Sequence, residues 1–144
     1  MKVDINTLTS EQKKLANIGY EFYLTETKKL SMREPSVKTI SFLDFKINQV
    51  KNNFDKRVSA FLSKYPKREQ DTFAQKLFEA KAVLAGGESI YIKWKAELMQ
   101  ATEKQVAEKI IEKNNDFTLK YVELENQKDI DILKLEKEKA LLSE

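Results

Sequence analysis

The chain has 144 residues, the size of one domain, with 41% apolar and 34% charged side chains but only three glycines and two prolines. So few turn residues exclude an all-β chain and favour an all-α one. Its charge is +3 over 26 basic and 23 acidic groups, a mixed surface without the dense basic stripe of a nucleic-acid binder. Residues 101–144 carry 8 lysines against 11 acidic groups (net −3), and residues 1–100 carry 18 basic against 12 acidic groups (net +6), an asymmetry able to steer self-association. With no cysteine and no histidine, the chain lacks thiolate chemistry, sulfur metal sites and the commonest general base and metal ligand near neutral pH. No apolar run is long enough to span a bilayer, and the start lacks a signal-peptide segment. The expectation is a cytoplasmic protein without cofactor, metal, membrane or nucleic acid, unless a larger particle carries it out.

In chain order, Thr9 and Gln12 are spaced as a capping box and predict a helix from about Ser10. Leu15, Ile18 and Phe22 follow at helical spacing, and this helix is expected to end near Leu30, before Pro35. A second helix is expected from about 40 to 65, opened by Ser41 and Asp44 with Ile40 and Phe45 as a hydrophobic staple. Its apolar stripe runs Leu43, Ile47, Val50, Phe54, Val58, Phe61 and Tyr65, widened by Phe42 and Leu62. Pro66 then ends or bends it.

A third helix is expected from about 67 to 85, with Phe73, Leu77, Ala80 and Leu84 on one face. Thr72 and Gln75 offer a later start, but Pro66 in a first turn favours the earlier one. Gly86 and Gly87 read as its stop. Ile90, Ile92 and Trp94 alternate like a strand, yet Ile90, Trp94 and Leu98 are spaced like a helix. With no partner strand in view, a short helix is expected. Thr102 and Gln105 then open the last helix, lined by Val106, Ile110, Phe117, Tyr121 and Leu124. Beyond about residue 126 the stripe loses phase, so a charged, weakly packed or self-pairing helical tail is expected. Asp116 with Lys120, Asp131 with Lys134 and Glu136 with Lys139 are spaced for same-helix support.

The expected fold is thus an all-α helical bundle built on a long helical hairpin, with a long C-terminal helix suited to a coiled coil. Its divisions are an N-terminal helix and linker (1–38), a bundle domain (39–125) and a charged helical tail (126–144).

Catalytic readings are weak. Glu69 and Glu79 have no nucleophile or metal partner in view, and charged residues on such helices are mostly solvated. Ser89 and Lys93 would need a buried lysine to act as a dyad, in a lysine-rich region that reads as exposed. Lys64, Lys67 and Arg68 beside Tyr65 read as a solvated helix corner, since Glu69 and Asp71 offset them. Phe22, Tyr91 and Trp94 are candidate interface anchors, with core packing an equal alternative for Tyr91 and Trp94.

The run "FKINQVKNNFDKRVSAFLSKYP" through "REQDTFAQKLFEAKAVLAGG" resembles a small helical domain of bacteriophage and prophage tail proteins, found in tail-fibre and tail-fibre-assembly polypeptides. The matching positions are Tyr65, Pro66, Glu69, Thr72, Phe73, Glu79 and Ala80, and "EKQVAEKIIEKNNDFTLKYVELENQKD" is similar to the family's closing helix. The match covers roughly residues 43–128. Phe73 stands where the family has Trp, and Gln75 lies one residue before the family's Gln, leaving Lys76 there. The resemblance implies a non-enzymatic place in tail assembly: a virion component or a chaperone of a tail fibre, partnered by a tail or tail-fibre protein, with a homo-oligomer as an option. The alternative is a small helical regulatory or inhibitory protein that binds a host protein through the basic half.

Overall fold

A computed structural model describes residues 3–143. It is mostly α-helical, as the composition requires, with one small sheet. A single 3-10 turn (Ile5–Thr7) precedes α1 (Ser10–Asn17), β1 (Glu21–Leu24), β2 (Leu30–Arg33), α2 (Ile40–Leu62), α3 (Lys67–Leu84), α4 (Ile90–Met99) and α5 (Glu103–Leu142). The chain divides into two compact units, residues 1–53 with 128–144 and residues 54–127, so that α2 and α5 each contribute to both.

In the first unit, the Thr9–Gln12 capping box forms as expected, with Gln12 N donating to Thr9 Oγ1 and Thr9 N donating to Gln12 Oε1. The helix does not run on to Leu30, however. It stops at Asn17, and Gly19 takes φ +108°, a conformation that side-chain-bearing residues rarely adopt. Tyr20 N then donates to Leu15 O at 3.1 Å, using a carbonyl that the next helical turn would have taken. Residues beyond it form an antiparallel hairpin in which Phe22 faces Met32 in register and Arg33 bonds Glu21 at 2.6 Å across the strands. Thr25 closes the turn by accepting from Lys29 N on its hydroxyl and from Lys28 N on its carbonyl. The helical spacing of Leu15, Ile18 and Phe22 was therefore misleading, because Phe22 serves the same core from the extended backbone of β1.

A Cβ at Gly19 would sit 3.1 Å from Pro35 Cβ in addition to the positive φ. Gly19→Ala is expected to cost about 1–2 kcal/mol, lowering Tm by several degrees in a thermal melt followed by far-UV circular dichroism.

Helix α2 begins at Ile40, and its cap is Thr39, whose hydroxyl accepts from Phe42 N at 3.1 Å, not Ser41. Asp44, expected to complete a box with Ser41, instead pairs with Lys139 at 2.8 Å. Lys139 bonds Asp44 directly, which holds its ammonium above the ordinary lysine value, and Glu136, its expected partner along α5, adds to that rise through its charge. Lys38 and Glu138 add a second pair at 3.0 Å. The residues after 126 are helical, as expected; Leu135 lies against the Tyr20, Phe42 and Leu43 core, while Ile130, Leu133, Leu141 and Leu142 stay exposed. That core is edge-on aromatic packing, with the Tyr20 ring 5.5 Å from Phe42 and 5.7 Å from Phe45. Burial pushes the Tyr20 hydroxyl above its usual value, while Lys46 pulls it down and Glu34 pushes it up.

In the second unit the core is Ala80, Ile92, Ala96, Val106 and Ala107, with Val83, Ile110 and Ile111 packed against it. Three of its five members are alanines, so the core is built on small side chains. Gly86 (φ +93°) ends α3, and Gly87 N returns to Ala82 O at 2.8 Å, as the double glycine implied.

Candidate protein-interaction surface

The corner after α2 is organised by aromatic rings. Pro66 occupies the N-cap of α3 and its carbonyl accepts from Glu69 N and Gln70 N. The Gln70 amide donates to the Leu62 and Tyr65 carbonyls, satisfying the end of α2. Tyr65, Phe61, Phe73 and Phe117 form one cluster, with Phe117 5.0 Å from Phe61 and 5.1 Å from both Tyr65 and Phe73. Thr72 does not cap: it lies inside α3 and donates back to the Arg68 and Glu69 carbonyls, so the earlier helix start is the one observed. Ala80 is fully buried in the core, and Glu79 is half-buried on the same helix. The motif thus divides into a corner (Tyr65, Pro66), a ring contact (Phe73), a core contact (Ala80) and one functional-looking side chain, Glu69.

Glu69 opens a groove of about 330 Å³ walled by α3, α4 and α5 within this unit. Phe73, Met99, Val106 and Ile110 line its apolar part. Around these stand four lysines: Lys76 from α3, Lys95 from α4, and Lys109 and Lys113 from α5. Glu69 is the one carboxylate lining it and is ion-paired with Lys113. Lys76 lies 5.6 Å from the centroid of the Tyr91 ring, within reach of a cation–π contact. Gln75, one residue and about 100° earlier on α3, is exposed.

Helix α4 has two faces. Ile92 and Ala96 are buried, and Ser89 caps the helix by accepting from Ile92 N at 3.2 Å, which accounts for that serine without any dyad. Ile90, Trp94 and Leu98 point outward, 68%, 63% and 84% exposed. They recur every four residues, making an apolar stripe roughly 12 Å long at helical rise. Tyr91, Lys95 and Met99, each one residue on, line the groove, so stripe and groove adjoin. Phe22, the remaining anchor candidate, lies on β1 of the first unit and packs against its core.

Sequence reasoning singled out Tyr91 and Trp94 but missed the lysines. Their signal was faint: Lys109 and Lys113 are four apart, and Lys95 follows Tyr91 by four, but three helices must meet before the charges collect. The same helix hides them in the total, because Glu108, Glu112 and Asp116 of α5 line a separate hollow with Leu84 and Ile111. Among the described residues no group of three or more His, Cys, Asp or Glu side chains could hold a metal ion, and no helix is long and apolar enough to cross a membrane. No protein-family model, curated protein or solved structure matches the chain.

Proposed function

We propose that this chain is a non-enzymatic phage or prophage tail-associated protein, a structural component or assembly chaperone of a tail fibre, that works by helix-mediated protein contact. The observation that carries the contact role is the exposed α4 stripe of Ile90, Trp94 and Leu98, beside a groove of apolar floor and charged rim. Large side chains presented together on a helix are the usual anchors of protein interfaces, and truncating such an anchor costs about 2 kcal/mol or more. The tail setting is supported by the sequence resemblance at Tyr65, Pro66, Glu69, Thr72, Phe73, Glu79 and Ala80.

Tagged protein recovered from phage-infected cells should bring down a tail or tail-fibre protein. Trp94→Ala and Leu98→Ser should each weaken that capture by at least about tenfold, with unchanged circular dichroism because both side chains are exposed. Capture of no tail protein, or capture indifferent to both variants, overturns the proposal. The lysine-rimmed groove favours one second reading, a regulatory protein that binds a host protein through a basic surface. That reading requires a single host partner and absence from virion particles.

A further inference from the structure

We propose that the groove between α3, α4 and α5 receives an acidic amphipathic helix of a partner protein. Its apolar side chain would rest against Phe73, Met99 and Ile110, and its carboxylates would reach Lys76, Lys95 and Lys109. This rests on the contact role proposed above and specifies the partner's chemistry.

Charge is the first argument. Four lysines face one carboxylate, and that carboxylate is already engaged by Lys113. Lys76 keeps its contact with the Tyr91 ring, while Lys95 and Lys109 show no carboxylate partner among the described residues. A groove holding an excess of like charge beside an apolar floor is complementary to an apolar anchor flanked by acids. Glu or Asp on the incoming helix would relieve the mutual repulsion of the lysines, and the apolar floor would exclude water from the pairs as the anchor seats.

Shape is the second argument. A volume of about 330 Å³ holds one or two large side chains, not a whole helix, so the occupant must extend beyond it. The α4 stripe supplies the extension: Trp94 and Leu98 continue the apolar surface from Tyr91 and Met99 at the groove wall. A small anion would leave that stripe uncovered. A helix with anchors at successive turns covers both, the usual groove-binding mode of amphipathic helices. A second copy could offer Glu108, Glu112 and Asp116, but those acids line a hollow, and a hollow presents no projecting apolar anchor to fill this groove.

Trp94 is the chain's one tryptophan, so its fluorescence reports on this surface alone. The full chain would be titrated with three labelled probes: an amphipathic helical peptide with a Leu/Phe face flanked by glutamates, the same peptide with lysines replacing the glutamates, and oligo-dT. The acidic peptide should bind at least about tenfold tighter than the basic one, shift Trp94 emission to the blue, and weaken as salt is raised. The double variant Lys95→Glu/Lys109→Glu should invert the preference with unchanged circular dichroism, since both side chains are exposed.

Equal binding of the two peptides, an unaltered preference in the double variant, or preference for oligo-dT each overturns the proposal. So does concentration-dependent self-association in light scattering that the same double variant abolishes, which would make the occupant a second copy. Tail-protein capture separates this inference from the function on which it rests. If Trp94→Ala abolishes capture and the lysine reversals do not, the contact role stands and the acidic helix falls. Capture that neither change affects removes both.

Discussion

Phe42→Ala should lower the unfolding free energy by about 3–5 kcal/mol, a large part of the roughly 5–15 kcal/mol that holds a domain folded. Phe42 is 1% exposed and shares its core with Tyr20 and fully buried Leu43. Its ring is edge-on to Tyr20, so truncation removes both buried area and an aromatic pair. The cavity would open beside Leu15, Ile18 and Leu135, which come from α1, the segment after it and α5. Urea denaturation followed by far-UV circular dichroism measures the loss. A cost under about 1 kcal/mol would show that this cluster does not hold the first unit together; Phe42→Leu, which keeps most of the volume, should cost under about 1.5 kcal/mol.

Phe61→Ala is the corresponding expectation for the second unit, again about 3–5 kcal/mol. Phe61 is 7% exposed and contacts the rings of Phe117 at 5.0 Å and Tyr65 at 5.5 Å. Unfolding followed by Trp94 emission reads the same unit. A double-mutant cycle with Phe117→Ala should return a coupling of about 0.5–1.5 kcal/mol, because the two rings touch. Phe73 belongs to the same ring cluster and also lines the groove. Loss of Phe61 should therefore reduce binding of the acidic probe as well as stability, although Phe61 does not line the groove itself. Additive behaviour of the two alanine variants would mean that the rings are neighbours without energetic consequence.

Much of the helical scaffold was legible from residue spacing. The boxes at Thr9–Gln12 and Thr102–Gln105 form as read, with Thr102 accepting from Gln105 N at 3.1 Å and Gln105 accepting from Thr102 N at 3.0 Å. The apolar stripe of α2 is the side that is buried or half-buried, and Lys51, Asn52, Asp55 and Lys56 are exposed. A strand at Ile90 would need a partner, and α4 is helical, as its spacing implies. Where the reading failed, a local signal had two solutions. Leu15, Ile18 and Phe22 suit one helix or a helix followed by a strand, and the choice belongs to the pairing of β1 with β2. Ser41 and Thr39 are both competent caps, and Thr39 holds the position because α2 starts at Ile40.

By itself, then, the sequence determined the helical class, the stripe of α2, two capping boxes, the glycine stop and the absence of cysteine and histidine chemistry. These rest on composition or on interactions between residues three or four apart, which any chain with this order carries locally. Only the tertiary structure decided the hairpin, the reach of Asp44 to Lys139 and the collection of Lys76, Lys95, Lys109 and Lys113 around one groove. An isolated two-stranded hairpin is marginal until a core covers it. Ion pairs and charged rims depend on residues distant in the chain, so their geometry exists only after the helices have packed.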